Sequence, residues 1–150
     1  EKESAYIIVY AIADGAGKIG VYLRYGDTGS CGLCDFKSKG EAQVAKILDE
    51  NAIIYKPQYY FKDCLSPLDN YLYFDFAILN KDGKVKYLIE FDGEQHYNPN
   101  LGGIFDGAYE YIHAHDVIKD NYCKDNNIKL YRIRFDEDVD KRMEEIINGL

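Results

Sequence analysis

Asp75 and Glu90 are the two residues whose types and spacing point most directly to chemistry. Asp75 lies in the apolar run YLYFDFAIL (71–79) and Glu90 in KVKYLIEF (84–91). Between the runs stands Asn80-Lys81-Asp82-Gly83, and Asp-Gly is a favoured centre of a two-residue type I′ hairpin turn. With that turn Lys81 faces Lys84, and counting outward pair by pair brings Asp75 directly opposite Glu90, their Cβ atoms roughly 5 Å apart on one face. Asp92, two residues beyond Glu90, faces the same way. Opposed carboxylates repel. Among Phe74, Phe76, Ile78, Leu88, Ile89 and Phe91 the partial loss of water adds to that cost. Two readings stay open. A hard divalent cation, Mg2+ or Mn2+, compensates the pair through its preference for oxygen ligands, or the pair stands solvated on an open face. The arrangement also rests on register, since a slip of one residue sends the acids to opposite faces.

The elements that must position these acids are legible in outline. Residues 5–13 and 18–25 read as two strands joined by a turn at Asp14-Gly15-Ala16-Gly17, and residues 26–38 as a loop. Residues 39–51 read as a helix, with Val44, Ile47 and Leu48 at helical spacing and a capping box formed by Ser38 and Glu41. Glu41 shares a face with Ala45 and Leu48, so it points toward the protein. Residues 58–62 read as a short strand, and 71–79 with 84–91 as the strong hairpin. Residues 92–107 read as a loop. Residues 108–126 read as a helix with Ile112, His115, Ile118 and Tyr122 on one face. Residues 128–134 read as a strand, and 138–149 as a closing helix carrying Val139, Met143, Ile146 and Ile147. No internal repeat or low-complexity segment interrupts the chain.

Bulk properties bound the function. At 150 residues, 47% hydrophobic and 29% charged, the chain suits one globular core. No apolar run approaches bilayer-spanning length, which excludes a membrane helix. No basic segment followed by an apolar one opens the sequence, which implies a cytoplasmic protein. The net charge of −8 opposes non-specific nucleic-acid binding. Fifteen Tyr with no Trp suits strands and half-buried positions.

The stretch Phe74-Asp75-Phe76, then Leu88 through Tyr97 (LIEFDGEQHY), then Asp116-x-x-Lys119-x-x-Tyr122-Cys123, then Ile128 through Ile133 (IKLYRI) resembles the PD-(D/E)XK nucleases. It is most similar to the phage and bacterial group related to very-short-patch-repair and homing endonucleases. The resemblance spans about residues 38–135, in four separate segments in order. It implies an α/β fold: a restriction-endonuclease-like αβββαβ core with a mixed sheet flanked by helices over residues 38–150. Residues 1–37, an N-terminal β-hairpin and Cys-containing loop, extend that core.

The same resemblance implies roles. Asp75 and Glu90 match the metal ligands, Glu41 the acid on the first helix that completes the metal shell, and the Phe91 carbonyl a backbone ligand. Gln95 and His96 match polar residues beside the scissile phosphate. Lys119 contacts that phosphate, oriented by Asp116 one turn earlier on the helix. One position departs from the family pattern: Asp92 stands where the name calls for Lys. Either Lys119 or His96 replaces the missing charge, or the metal carries more of the work, and Asp92 is then a candidate for a second ion. In related proteins a zinc ribbon often precedes the core. Cys31-Gly32-Leu33-Cys34 sits where its last knuckle would be, but a closed zinc site needs four ligands and no second pair precedes it, so zinc is not expected. Cys64 and Cys123 read as small buried residues.

The expected activity is a Mg2+- or Mn2+-dependent DNA endonuclease hydrolysing phosphodiester bonds. The metal ligands acidify a water and polarise the phosphoryl oxygen, His96 acts as general acid or base, and Lys119 offsets charge on the phosphorane. The rivals are a catalytically inactive nuclease-fold module that binds DNA or protein, and a metal-dependent ribonuclease. An additional DNA-binding domain or a homodimer would answer the acidic charge. His113 and His115, two apart on a helix, point to different faces and read as structural or surface residues. Asp136-Glu137-Asp138 reads as an acidic helix start rather than a metal site.

Overall fold

A computed structural model describes the backbone of residues 6–13 and 19–26, and residues 38–100 and 108–149 in full. Strands β1 (Tyr6–Ala13) and β2 (Ile19–Gly26) form an antiparallel two-stranded sheet in which Tyr10 faces Tyr22. The rest follows as α1 (Lys39–Glu50), β3 (Tyr55–Leu65), β4 (Tyr71–Leu79), β5 (Val85–Asp92), a 3-10 turn (Glu94–His96), α2 (Ala108–Asp125), β6 (Leu130–Arg134) and α3 (Val139–Asn148). Strands β3 to β6 make a four-stranded mixed sheet in that order, β3–β4–β5 antiparallel and β5–β6 parallel. A parallel pair cannot be joined by a tight turn, so the chain returns from β5 to β6 through the long α2 crossover. Among the described residues no helix is long and apolar enough to cross a membrane.

The sheet separates two apolar layers. On one side α1 (Val44, Ala45, Leu48) and α3 (Val139, Met143, Ile146) pack on Phe76, Ile78, Ile89 and Ile133. On the other, Leu72, Phe74, Ala77 and Leu88 pack with Cys64 and with Cys123, Ile118 and Tyr122 of α2. Cys64 and Cys123 are free and buried, as their surroundings in the sequence suggest. Cys31 and Cys34 lie outside the described residues. Of the eighteen residues of α2, only Cys123 is fully buried. The carboxyl half of α2 supplies that packing, which leaves the amino half to border the sheet more openly.

Helix starts follow local chemistry. Ser38 Oγ accepts a hydrogen bond from Glu41 N at 3.1 Å, which caps α1, and Glu41 itself is buried. Asp138 Oδ1 accepts from Lys141 N and caps α3, while Asp136 binds Arg134 and Glu137 accepts from Arg134 N. The acidic run is therefore a helix start, as its position suggests.

Three local expectations are corrected. Strand β3 runs over eleven residues rather than five. Pro57 argues for a late strand start, but β3 is the sheet edge here, where a residue without an N–H is tolerated. Residues 92–107 are not all loop, since Glu94–His96 form a 3-10 turn. The hairpin turn has three residues, not two. Asn80 N donates to Lys84 O, Gly83 N donates to Asn80 O, and Gly83 takes φ +75°. This is a type I turn closed by a residue in the left-handed region. Asn80 Oδ1 fixes it by accepting from Asp82 N and Lys84 N.

Candidate active site

The expected register survives this turn because a bulge compensates for it. Leu79 faces Val85, but Ile78 faces Tyr87, so Lys86 is the extra residue. Beyond it Ala77 faces Leu88 and Phe76 faces Ile89, as the two-residue turn also required. The ladder then ends one pair short of Asp75 and Glu90. In place of a backbone carbonyl, Asp75 Oδ2 accepts the Phe91 N–H at 2.8 Å. The acids are therefore adjacent across a splay in the sheet rather than partners in its ladder.

The sheet is interrupted around Asp75 on both sides. Register with β3 runs through Pro57–Phe76 and Tyr59–Phe74 but skips Gln58, which takes φ +49° and reaches Asp75 Oδ1 at 3.5 Å. Along β4 itself, Phe74 belongs to the α2-side core and Phe76 to the α1-side core, although residues two apart in a regular strand share a face. A non-glycine residue in the left-handed region costs roughly 1–2 kcal/mol. That strain and the lost ladder bonds coincide at the acid the sequence singles out.

Glu90 is 3% exposed. Its Oε1 lies 2.6 Å from Lys119 Nζ, and Lys119 also sits over the Phe74 ring. Despite this ion pair, the Glu90 carboxyl is pushed up to about 8, first by burial and then by the Asp75 charge, with Lys119 only partly offsetting both. Asp75 is raised as well, by burial against the Phe91 amide and Lys119. One ammonium thus bonds the buried Glu90 and also acts through space on the half-buried Asp75.

Asp92 faces different partners. It is 1% exposed, with Oδ1 at 2.8 Å from Arg132 and Oδ2 accepting from Tyr97 OH at 2.9 Å. Arg132 stands beside Glu90 in the parallel register and also reaches Asp116 and Asp120. His96 Nδ1 lies 2.7 Å from Asp116 Oδ2 and 3.8 Å from Asp92. Burial would raise Asp116, but the His96 hydrogen bond and Arg132 outweigh it and hold its carboxyl below the ordinary value. Burial, by contrast, would lower Arg132, and the surrounding carboxylates raise it further above its already high value.

Asp92, His96 and Asp116 can bring ligand atoms within 4.8 Å of one another. Arg132, however, already supplies the positive charge there, and both Asp92 oxygens are engaged. A second cation would have to displace a guanidinium. Asp75 and Glu90 both feel the Lys119 charge, and Glu90 also that of Arg132, but among the described residues they do not form with Glu41 a ligand group as close as this one.

The remaining expected residues fall as follows. Glu41 is buried in the first turn of α1, next to Gly40, whose Cα packs so tightly on the Phe91 ring that any Cβ would overlap it. That close approach brings the start of α1 to the end of β5. Gln95 is half-buried and folds back over Gly93. Asp116 bonds His96 and Arg132 rather than orienting Lys119. His113 is exposed. His115, read from the sequence as structural or surface, lines a cleft of about 300 Å3 with His96, Asp116, Lys119, Tyr71, Tyr73 and Tyr111. Burial, then the nearby Lys119 charge, lowers its basicity. Sequence reasoning assigned no role to Arg132. The available signal was a cation alternating with apolar residues in a strand parallel to the one bearing Glu90 and Asp92.

Comparison with known protein families, with curated proteins and with solved structures finds no match to this chain.

Proposed function

We infer that this protein is a divalent-metal-dependent DNA endonuclease of the PD-(D/E)XK type. The observation that carries the reading is the buried Glu90, ion-paired to Lys119, beside the half-buried Asp75 at a break in the sheet. Keeping both carboxylates charged beside one ammonium is costly, and either a proton on Glu90 or a further cation relieves that cost. The order α1–β3–β4–β5–α2–β6, with helices on both faces of the sheet, is consistent with the restriction-endonuclease-like core that the four sequence segments suggest.

Asp75 and Glu90 would hold Mg2+ or Mn2+, with Glu41 and the Phe91 carbonyl as the additional ligands that the resemblance implies. The cation supplies Lewis-acid polarisation of the phosphoryl group and a more acidic water. Lys119 holds positive charge against the phosphate and meets the demand left by Asp92 in the family's Lys position. With Nδ1–H donated to Asp116, His96 keeps Nε2 as its basic nitrogen and can accept or return a proton. Arg132 and Tyr97 engage both oxygens of Asp92, so that acid holds β5, β6 and the 3-10 turn together instead of binding a second ion.

The test is cleavage of supercoiled plasmid with Mg2+ or Mn2+ by wild type, Asp75→Ala and Glu90→Ala, with circular dichroism as a folding control. Wild-type cleavage should fall by roughly 100-fold or more in each folded variant, since metal stabilisation of the transition state is worth several kcal/mol. Wild type that neither cleaves nor binds Mn2+ by calorimetry would sink the enzyme reading and leave an inactive nuclease-fold module. Cleavage of matched RNA but not DNA would move the activity to a ribonuclease.

A further inference from the structure

The cleft beside Lys119 has aromatic walls that the metal chemistry does not use. Tyr71 and Tyr73 come from the start of β4, and Tyr111 and His115 from the open half of α2. The three tyrosines are 46%, 47% and 59% exposed, well beyond what core packing requires. Tyr60 stacks on Tyr71 at 4.6 Å between ring centroids and meets Tyr73 edge-on at 5.3 Å. Across the cleft, the Tyr111 and His115 rings lie 4.0 Å apart. Cross-strand pairing accounts for Tyr60 and Tyr73, which are register partners. It does not account for aromatic rings on a separate helix facing the same opening.

Two physical points select the occupant. At about 300 Å3 the cleft is at the small end of ligand pockets, with room for one flat heteroaromatic ring rather than a base pair within a stack. A net charge of −8 also works against gripping a duplex through its phosphates, whose binding depends on cations replacing condensed counterions. Stacking of bases on aromatic side chains needs no such charge and is available only to bases that are not stacked on one another. The cleft is continuous with the candidate active site through the residues they share, Lys119 and His96.

We propose that the substrate is DNA with an unpaired strand, one base of which enters the cleft between Tyr71–Tyr73 and Tyr111–His115 and sets its phosphate at Lys119. The proposal rests on the nuclease reading for its chemistry, but its binding step can be measured without cleavage.

The experiment is fluorescence anisotropy of the full chain with a labelled thymidine 20-mer and with a 20-base-pair duplex, in EDTA, over a series of salt concentrations. The single strand should bind more tightly than the duplex. Its affinity should fall with salt at a slope of about −0.7 to about −1.4, corresponding to one or two phosphate contacts. Tyr111→Leu and Tyr71→Leu should each weaken it by about fivefold to about 150-fold, the worth of one stacked base, while Tyr111→Phe and Tyr71→Phe retain it. The exposed position of Tyr111 on α2 keeps the test decisive if Tyr71→Leu does not fold. Equal or tighter duplex binding, or leucine variants that bind like wild type, would overturn the proposal even if plasmid is cleaved. Single-strand preference without any cleavage would uphold the stacking cleft and count against the nuclease reading instead.

Discussion

A carboxylate that is buried, beside another acid and only half answered by a lysine behaves differently from one at a surface ion pair. Glu90 is pushed up to about 8 from an ordinary value of 4.5. The folded state therefore binds this proton more tightly than the unfolded state does. Its contribution to stability is full below the ordinary carboxylate range and is lost as pH rises through the folded value. Asp75 acts in the same direction. In EDTA the Tm should fall between about pH 5 and about pH 8, and Glu90→Gln should flatten that fall because a neutral amide has no proton to lose. Thermal melts of both proteins across this range check the prediction; identical slopes would mean that Glu90 does not carry the effect. Asp116 has the opposite sign. Its lowered carboxyl adds stability above the ordinary range, which is lost on acidification as His96 and Arg132 lose their anionic partner.

At the scale of elements, the site depends on where strands stop pairing and on how closely a helix can approach them. The bulge at Lys86 returns β5 to register with β4, and the break at Gln58 and Asp75 then frees a carboxylate from the ladder. The approach of α1 depends on Gly40, whose missing side chain lets the first turn lie against the Phe91 ring. Gly40→Ala gains the intrinsic helix preference of alanine, worth up to about 1 kcal/mol. It must then displace Phe91, and overpacking of this kind typically costs about 1–3 kcal/mol. The expected result is a net loss of stability in urea unfolding, together with weaker Mn2+ binding because Phe91 and Glu90 are neighbours. A Gly40→Ala protein as stable as wild type, with unchanged Mn2+ affinity, would separate α1 from the site.

For the whole molecule, a cation that binds only the folded state must stabilise it by mass action. At a free Mn2+ concentration one hundred times its dissociation constant the gain is about 2.7 kcal/mol. Calorimetric melts with Mn2+ should therefore show a raised Tm in wild type and in a Tyr111→Leu control. The rise should disappear in Asp75→Asn. If Asp92→Asn also removed it, the cation would sit in the Asp92–His96–Asp116 group instead. The sheet couples these events across the molecule. Asp92 ties β5 to β6 through Arg132 and to the 3-10 turn through Tyr97, while Lys119 ties Glu90 to α2.

Period and turn chemistry made much of the architecture readable. The Asp-Gly hairpin, the helical spacing of Val44, Leu48, Met143 and Ile146, and the cap at Ser38 are local, so neighbouring residues determine them. The adjacency of Asp75 and Glu90 also followed from counting, although the assumed turn had one residue too few and a bulge restored the register. What the sequence left undetermined is non-local. Arg132 meets Asp92 across forty residues, and His96 meets Asp116 across twenty, because a parallel strand pair and a crossover helix close those distances. His115 joined the cleft only because the amino half of α2 stands off the apolar layer, which no spacing within the helix reveals. Residue type and local period set which groups carry charge and which face of an element they occupy. Tertiary packing alone decided which charges meet, and so that Asp92 is held by Arg132 and Tyr97 while Glu90 is paired with Lys119 beside Asp75.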